Sequence, residues 1–407
     1  WLGSCRVPAA SGAWAGLYCR VDAPRRGARV IRTTARGGSA PRGAARHGVE
    51  TGMPNTPRSS DVPRVCILGI GQMGLVCSAL LASPDPEGAG SAPRADVRVW
   101  GHDADERGAL AQTRRSARLE GFTLPETVRV ALGDAEALEG ADLIVCAVPV
   151  QFIRPVWAHL RDRVPPGAAV VSVAKGIEND TLMRPTQIIA DVLRDDPDAA
   201  PRPLGTLSGP TIATELAKCL PATMVAASDH PGFAERLQAL FTTSWLRVYT
   251  NPDLLGVELA GAVKNVIAIA AGIIDGLDAG SNAKSALLAR GLAEITRLGD
   301  AMGATHDTFF GVAGVGDLAT TCFSPEGRNR SCGEALGRGA ALDEHLGSTD
   351  SVVEGVATTR SVMDLAARSR VEMPIARAVH AVLFEKLDPV DAVAMLMSRE
   401  PRDERVG

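Results

Sequence analysis

A single lysine interrupts a long apolar segment in the second half of the chain. Residues 254–272 (LLGVELAGAVKNVIAIAAG) predict a helix that is apolar almost all round, and such a helix is buried. Asn251-Pro252-Asp253 before it is typical of a helix start, with Asn251 as the capping residue. Burial lowers the pKa of a lysine, so Lys264 is a candidate for donating and accepting a proton near neutral pH. The alternative is a lysine whose ammonium group extends to the surface.

A glycine-rich segment further along the chain gathers groups that bind anions. Residues 311–330 (GVAGVGDLATTCFSPEGRNR) place an aspartate, two threonines and an Arg-Asn-Arg sequence among glycines. Such a segment suits close approach of its backbone to a ligand, and Arg328 suits bidentate binding of a phosphate. The alternative is a glycine-rich connection whose arginines are solvated.

A third pattern predicts a dinucleotide site. The sequence Gly69-Ile-Gly71-Gln-Met-Gly74 follows the apolar run 64–70 and precedes an apolar helical stretch at 75–81. In this setting Gly69 allows a tight turn, Gly71 lets the backbone approach a pyrophosphate, and Gly74 lets the helix pack against the sheet. The N-terminus of the helix offers free N–H groups to the phosphates. A purely structural turn is the alternative.

The residues after the second predicted strand bear on the choice between NAD and NADP. That strand ends in Trp100-Gly101-His102-Asp103. An acid at this point binds the ribose 2′-hydroxyl and favours NAD, but Asp103 lies slightly beyond the usual place, and His102 suits a 2′-phosphate. The predicted cofactor is therefore NAD or NADP, with the preference left open, and two ordinary loop residues are the alternative.

These groups need a scaffold, and the first half of the chain predicts one. Short apolar runs alternate with helical stretches, which is typical of right-handed crossovers in a parallel, doubly wound sheet. The six predicted strands are residues 64–70, 97–100, 141–148, 168–173, 204–208 and 223–227. The predicted fold class is α/β: a disordered leader (1–61), an N-terminal Rossmann-like dinucleotide-binding domain (62–249) and a C-terminal all-helical substrate and catalytic domain (250–395).

The leader is distinguished by its composition. Residues 1–60 contain ten arginines, no lysine and only two acids, and such a segment cannot bury enough apolar surface to fold. One interpretation is an organelle transit peptide. The favoured one is upstream sequence ahead of Met53, so that residues 1–52 were never meant to fold.

The composition excludes several classes of function. A formal net charge of −4 and an aromatic content of 4% do not suit a nucleic-acid partner. Eight cysteines in so long a chain do not form a disulfide framework, and because they include no CxxC pair and no ligand-like cluster, no metal site is expected. A reducing cytoplasm fits them best. Glu258, Lys264 and Asn265 inside the most apolar segment would be costly in lipid, so no membrane span is predicted.

Eight motifs spread over residues 62–395 belong together. They are GIGQMG at 69–74, VAKGIEN at 173–179, SGPTIATELA at 208–217, GVELAGAVKNVIAIAAGIIDGL at 256–277, NAKSALLARGLAEITRLG at 282–299, GVGDLATTC at 314–322, GRNR at 327–330 and VVEG at 352–355. In combination they resemble the NAD(P)-dependent glycerol-3-phosphate dehydrogenases of the bacterial type. The resemblance implies an active site between the two domains and reversible reduction of dihydroxyacetone phosphate to sn-glycerol 3-phosphate, which supplies a glycerophospholipid precursor.

The resemblance also implies roles for individual residues. Lys264 matches the catalytic lysine that protonates the carbonyl oxygen, Asp317 the carboxylate that orients it, and Lys175 a lysine near both substrate and cofactor. The implied substrate-binding residues are Lys175, Gly209, Thr211, Asn265, Thr321, Arg328 and Asn329. The implied cofactor-binding residues are Gly69, Gly71, Gln72, Met73, Gly74, His102, Lys175, Ala213, Arg328, Val352 and Glu354. The partner is a small phosphorylated substrate, and a homodimer is the candidate assembly.

Some positions depart from the family pattern. Gln72-Met73 stands where a Ser or Asn followed by an aromatic residue is frequent, which puts cofactor stacking there in doubt. Residues 116–121 (SARLEG) stand where the family commonly has a stretch like NxxYLPG, which puts the cofactor contacts of that loop in doubt. Gly327 stands where the family often has a serine, so one hydroxyl contact is lost. Residues 83–96 resemble an insertion.

Two other functions remain open at this point. A β-hydroxyacid-type dehydrogenase has a similar architecture, but its lysine is followed by an asparagine one helical turn later, whereas Asn265 is adjacent to Lys264. A cofactor-binding sensor without turnover would have lost the catalytic positions, yet Lys264, Asp317 and Arg328 are all present.

Overall fold

The structure is a computed structural model that describes residues 62–83, 93–194, 201–349, 352–400 and 403–404. The predicted leader and most of the predicted insertion at 83–96 lie outside the described residues. Within them the chain forms eight strands: β1 (Arg64–Leu68), β2 (Asp96–Trp100), β3 (Arg129–Val130), β4 (Leu143–Cys146), β5 (Ala169–Ser172), β6 (Leu204–Ser208), β7 (Ala222–Ala227) and β8 (Leu246–Asn251).

The strands form one sheet in the order β3-β2-β1-β4-β5-β6-β7-β8. All neighbouring pairs are parallel except β6 and β7, which run antiparallel. The predicted α/β class and doubly wound sheet are confirmed. The prediction missed β3, which has only two residues, and β8, and it did not anticipate the reversed direction of β7.

The central strands are buried on both faces, which is why they are continuous apolar runs rather than alternating ones. Val65 and Ile67 of β1 face one hydrophobic core, while Cys66 and Leu68 face the other. The sheet is therefore covered by helices on both sides, as crossover connections require.

The described residues also form fifteen α-helices. They are α1 (Gln72–Ala82), α2 (Ala104–Thr113), α3 (Asp134–Leu138), α4 (Val150–Leu160), α5 (Pro185–Leu193), α6 (Ala213–Ala217), α7 (Phe233–Phe241), α8 (Leu254–Gly276), α9 (Gly280–Met302), α10 (Asp317–Phe323), α11 (Arg328–Gly337), α12 (Leu342–Gly347), α13 (Glu354–Ser369), α14 (Pro374–Phe384) and α15 (Pro389–Met397). A π-helical turn, Val312–Gly316, leads directly into α10.

Helix α8 lies at the centre of the helical part of the chain. It packs against α9, α10, α11, α13 and α14, and its residues form much of a third hydrophobic core, separate from the two that flank the sheet. In the described part of the chain α8 alone has the length and apolarity to cross a membrane, and 94% of its apolar window is buried inside the protein.

The capping residue of α8 lies two residues later than predicted. Asp253 is the capping residue, because its Oδ1 accepts a hydrogen bond of 2.8 Å from the Gly256 backbone N–H. Asn251 lies before this cap, and its Oδ1 accepts a hydrogen bond from the Asp253 backbone N–H. Strand β8 ends at Asn251 and α8 begins at Leu254, so the chain changes there from sheet to helices. The domain boundary at 249/250 stays a prediction.

Candidate active site

Lys264 is buried, as its apolar helix predicts. Its side chain is 7% exposed, and its Nζ donates a hydrogen bond of 2.7 Å to Asp317 Oδ1. Nζ also donates to Thr321 Oγ1. Asp317 and Thr321 are four residues apart on α10, so one face of this short helix presents both groups to the lysine.

Asp317 binds a second lysine through its other oxygen. Lys175 follows β5, and its Nζ donates to Asp317 Oδ2 at 2.7 Å and to the Gly209 carbonyl oxygen at 2.9 Å. The stem of Lys175 crosses α8 at Gly261, where an added Cβ would stand 3.5 Å from Lys175 Cγ. One buried carboxylate therefore joins two ammonium groups that come from different elements.

Burial and neighbouring charges set the protonation of this cluster. Burial lowers the pKa of Lys264 to about 8; Asp317 opposes this shift, and the like charge of Lys175 adds to it. Burial would raise the pKa of Asp317, but the ammonium groups of Lys175 and Lys264 outweigh it and hold that pKa below its usual value. Lys264 can thus exchange a proton near neutral pH while Asp317 stays ionised.

Two asparagines beside the lysine leave one amide donor free. The Gly355 N–H donates to Asn329 Oδ1 at 2.8 Å, so Asn329 must turn its Nδ2 towards Asn265 Oδ1, at 3.0 Å. The Nδ2 of Asn265 is then buried without a partner among the described residues. A buried unpaired donor is costly, and a ligand oxygen adjacent to Lys264 would satisfy it.

Arg328 begins α11 at the edge of the same cluster. It is exposed, and its Nη1 donates to the Val352 carbonyl oxygen at 3.0 Å. Glu354 lies close enough to be influenced by Arg328, Lys175 and Lys264, although burial dominates and raises the pKa of Glu354. The structure therefore brings Arg328, Val352 and Glu354 together with the two lysines.

The glycine turn after β1 has the geometry of a phosphate site. Gly69 has φ +113°, and an added Cβ would stand 2.5 Å from the Ala147 carbonyl oxygen, so only glycine fits. A Cβ on Gly74 would overlap the Gly69 carbonyl oxygen, whereas Gly71 faces open space with nothing within 4 Å. Among the described residues no side chain caps α1, so the first N–H groups of this helix suit a pyrophosphate. These residues fit a dinucleotide.

Other predicted cofactor residues have varied surroundings. Gln72 is exposed at the start of α1, whereas Met73 packs against the hydrophobic core on the face of the sheet to which Val65 and Ile67 point. Ala213 is buried at the start of α6. His102 is exposed, but Asp103 is already engaged, because its Oδ1 caps α2 by accepting from the Glu106 N–H at 2.7 Å. Asp103 is thus used for helix capping, which the sequence analysis did not anticipate.

The predicted residues that follow strands share one edge of the sheet. Gly69 follows β1, Lys175 follows β5 and Gly209 follows β6, and these three strands point the same way. The carboxyl ends of parallel strands are where open α/β sheets bind ligands. Thr211, whose Oγ1 donates to the Gly209 carbonyl oxygen at 3.1 Å, lies at the same edge. Gly261 and Gly355 were not predicted from the sequence, although Gly261 is three residues before Lys264 and this helical spacing could have indicated it.

Comparisons with known proteins identify the same family in both the N-terminal and the C-terminal part of the chain. The family described as NAD-dependent glycerol-3-phosphate dehydrogenase matches with its N-terminal model at residues 64–234 and its C-terminal model at 253–394. A glycerol-3-phosphate dehydrogenase [NAD(P)+] of Anaeromyxobacter dehalogenans is 44% identical over 84% of this chain and 99% of its own length. The corresponding protein of Chlorobium phaeobacteroides is 42% identical with the same coverage.

Solved structures are similar as well. A crystal structure of glycerol-3-phosphate dehydrogenase from Coxiella burnetii has a TM-score of 0.76 and 34% identity, and covers 83% of this chain and 99% of its own. A D-mandelate dehydrogenase has a TM-score of 0.54 at 13% identity, covering 81% of this chain and 99% of its own, so it shares the fold alone.

Proposed function

The chain belongs to the NAD-dependent glycerol-3-phosphate dehydrogenase family, and we propose that the cluster of Lys264, Asp317 and Lys175 is its catalytic centre. The enzyme is an NAD(P)-dependent oxidoreductase that reversibly reduces dihydroxyacetone phosphate to sn-glycerol 3-phosphate. The observation that carries the proposed site is the buried Lys264 ammonium group, bonded to Asp317 beside the unpaired Nδ2 of Asn265.

Lys264 acts as the general acid in the direction of reduction. NAD(P)H, when bound, supplies the hydride, and negative charge then develops on the substrate carbonyl oxygen. The ammonium group of Lys264 stabilises that charge and gives the oxygen a proton; in the reverse direction the neutral amine takes the proton back. Asp317 holds Lys264 in place and keeps it charged despite burial.

The other polar groups bind the rest of the substrate. The site holds two lysines against one aspartate at its centre, with Arg328 at its edge, so it has excess positive charge for a phosphate. We assign the substrate to Lys175, Gly209, Thr211, Asn265, Thr321, Arg328 and Asn329. The free amide of Asn265 serves a substrate oxygen next to the reacting carbon.

The cofactor is assigned to the glycine turn and the residues around it. Gly71 and the N-terminus of α1 would hold the pyrophosphate, and the open space at Gly71 together with the uncapped N–H groups of α1 supports this assignment. The full set is Gly69, Gly71, Gln72, Met73, Gly74, His102, Lys175, Ala213, Arg328, Val352 and Glu354.

The cellular setting is proposed from the same resemblance. The described cysteines are all free thiols, five of them buried, which supports a reducing cytoplasm. Production of sn-glycerol 3-phosphate there would supply glycerophospholipid synthesis. A homodimer is the proposed assembly, and light scattering on the purified protein tests it.

Lys264→Ala tests the catalytic assignment. We expect kcat for dihydroxyacetone phosphate to fall by about 1,000-fold, because the developing oxyanion loses its proton donor. NADH affinity should change less than about twofold, since Lys264 is not among the cofactor residues. Lys218→Ala, on an exposed lysine, is the control and should keep full activity. A Lys264→Ala enzyme with most of its turnover, or one that prefers a β-hydroxyacid, contradicts the proposal.

A further inference from the structure

The loop that carries Lys175 is held by α4 on one side. The Asn179 N–H donates to Gln151 Oε1 at 3.1 Å, and Gln151 Nε2 donates to the Ile177 carbonyl oxygen at 2.8 Å. Glu178 forms an ion pair of 2.8 Å with Arg154, one turn further along α4. Every residue from Ile177 to Asn179 is therefore tied to this helix.

Helix α13 holds the same loop from the other side. Ser361 is fully buried, and its hydroxyl group donates to Asn179 Oδ1 at 2.6 Å and lies 3.1 Å from the Ile177 carbonyl oxygen. Glu354, Thr358 and Ser361 are spaced by four and three residues, so they lie on one face of α13. The face that holds the loop thus also presents Glu354 to the lysine cluster.

The fit around Gly176 leaves little freedom. Gly176 has φ +153°, and an added Cβ would stand 2.6 Å from Val150 Cγ1 and 3.3 Å from Thr358 Oγ1. Val150 begins α4 and Thr358 lies on α13. The residue next to Lys175 is consequently enclosed by the same two helices that bind Ile177 and Asn179.

We propose that Ser361 and Asn179 are positioning residues, whose hydrogen bond fixes the loop so that the Lys175 ammonium group reaches Asp317 and the substrate. Neither residue is bonded to Lys264 or Asp317, so both act through Lys175. The inference rests on the proposed roles of Lys175 and Lys264.

The proton equilibrium of Lys264 gives a readout of where Lys175 lies. The titratable groups that face Lys264 are Asp317 on α10, Lys175 on its loop, Glu354 on α13 and Cys322 on α10. Lys175 lowers the pKa of Lys264 by like-charge repulsion and shares Asp317 with it. If Lys175 moves away, repulsion falls and Asp317 interacts with Lys264 alone, so the pKa of Lys264 rises.

The test compares pH profiles of kcat/KM for dihydroxyacetone phosphate reduction. In Ser361→Ala we expect the alkaline break to move up by about half a pH unit, with kcat about tenfold lower because Lys175 is misplaced. Thr296→Val is the matched control, since Thr296 is also a fully buried hydroxyl residue, but its hydroxyl group donates within its own helix, to the Leu292 carbonyl oxygen at 2.9 Å. It should keep the wild-type profile.

Two further variants separate the possible failures. Asn179→Ala removes the acceptor of the hydrogen bond from Ser361, and Asn179 is only half-buried. If Ser361→Ala does not fold, Asn179→Ala must move the alkaline break of kcat/KM in the same direction. Lys175→Met removes the charge of Lys175 altogether, so it gives the largest upward shift expected for the alkaline break in kcat/KM. A break that moves in Lys175→Met but not in Ser361→Ala or Asn179→Ala overturns the positioning role while leaving the proposed catalytic centre intact. If the alkaline break in kcat/KM does not move in Lys175→Met, or if the wild type shows no such break, the electrostatic coupling between Lys175 and Lys264 is overturned.

Discussion

At the scale of single residues, Asp317 links the two lysines of the proposed catalytic centre. It is 2% exposed, and each of its oxygens accepts a hydrogen bond of 2.7 Å from a lysine. A buried carboxylate is stable only when paired, and a buried ammonium group likewise. Two lysines against one carboxylate leave an excess positive charge, which suits the proposed binding of a phosphorylated substrate here.

The lowered pKa of Lys264 predicts opposite pH dependence for the two directions. The ammonium form exists below about pH 8, so kcat/KM for reduction should fall about tenfold per pH unit above that value. Oxidation of sn-glycerol 3-phosphate needs the neutral amine, so its rate should rise up to about pH 8 and then level. Initial rates from pH 6 to 10 measure both. In Lys264→Arg the break should disappear, because a guanidinium group does not titrate there.

Arg328 is expected to affect substrate binding more than turnover. Its guanidinium group is exposed at the edge of the site, where it suits a phosphate rather than the reacting carbon. Arg328→Ala should raise KM for dihydroxyacetone phosphate by about 10- to 100-fold, because the substrate loses one or two charge-assisted hydrogen bonds. Arg338→Ala, on an exposed arginine of the segment after α11, is the control. Unchanged saturation kinetics in Arg328→Ala would refute the phosphate contact.

Among the elements, α8 and α11 make the closest contact. A Cβ on Gly333 of α11 would overlap the Ile269 carbonyl oxygen of α8, and one on Gly272 of α8 would overlap the Arg330 carbonyl oxygen. The two backbones therefore touch, which brings Asn265 of α8 within 3.0 Å of Asn329 of α11. Small residues at this contact therefore set the distance between Asn265 and Asn329, which are both proposed substrate-binding residues.

Gly333→Ala should therefore separate α8 from α11. The added methyl group meets backbone rather than a flexible side chain, so we expect a loss of about 2 kcal/mol in the free energy of unfolding, together with a higher KM. Gly108→Ala in α2 is the matched control, because a Cβ there meets nothing within 4 Å. It should leave stability unchanged or raise it by about 0.5–1 kcal/mol. Equal urea midpoints for both variants would contradict the close contact.

At the scale of the whole molecule, the sheet and the helical part contribute to one site. Lys175 comes from the sheet edge, Lys264 and Asp317 from the helices, and the three meet directly. Glu258 on α8 also accepts hydrogen bonds from the backbone N–H and hydroxyl group of Thr186 on α5, at 3.0 and 2.8 Å. Helix α8 is therefore bonded at a second point to the sheet-bearing part of the chain, through α5.

Removal of residues 1–52 should leave activity and melting temperature unchanged. The family match begins at residue 64, and the relatives align over 84% of this chain while covering 99% of their own length. Removal of residues 1–68 is the contrasting variant, because it deletes β1, which pairs with both β2 and β4. It should not fold. Loss of activity in the shorter deletion would show that the leader contributes to the enzyme.

Local patterns in the sequence determined the buried strands, the glycine turn and the burial of α8. A strand buried on both faces must be an apolar run, as in β4, and an apolar helix must be buried, which placed Lys264 in the interior. The family motifs supplied the predicted roles of Asp317 and Lys175, which composition and spacing alone could not assign.

Only the tertiary structure decided which of these groups meet. The sequence did not show that Asp317 is shared by Lys264 and Lys175, that Asp103 is occupied in capping α2, or that Asn265 keeps a free amide. It also missed β8 and the antiparallel direction of β7. The physical reason is that periodicity reports which face of an element is buried, whereas hydrogen bonds between residues as distant as Lys175 and Asp317 depend on how the elements pack.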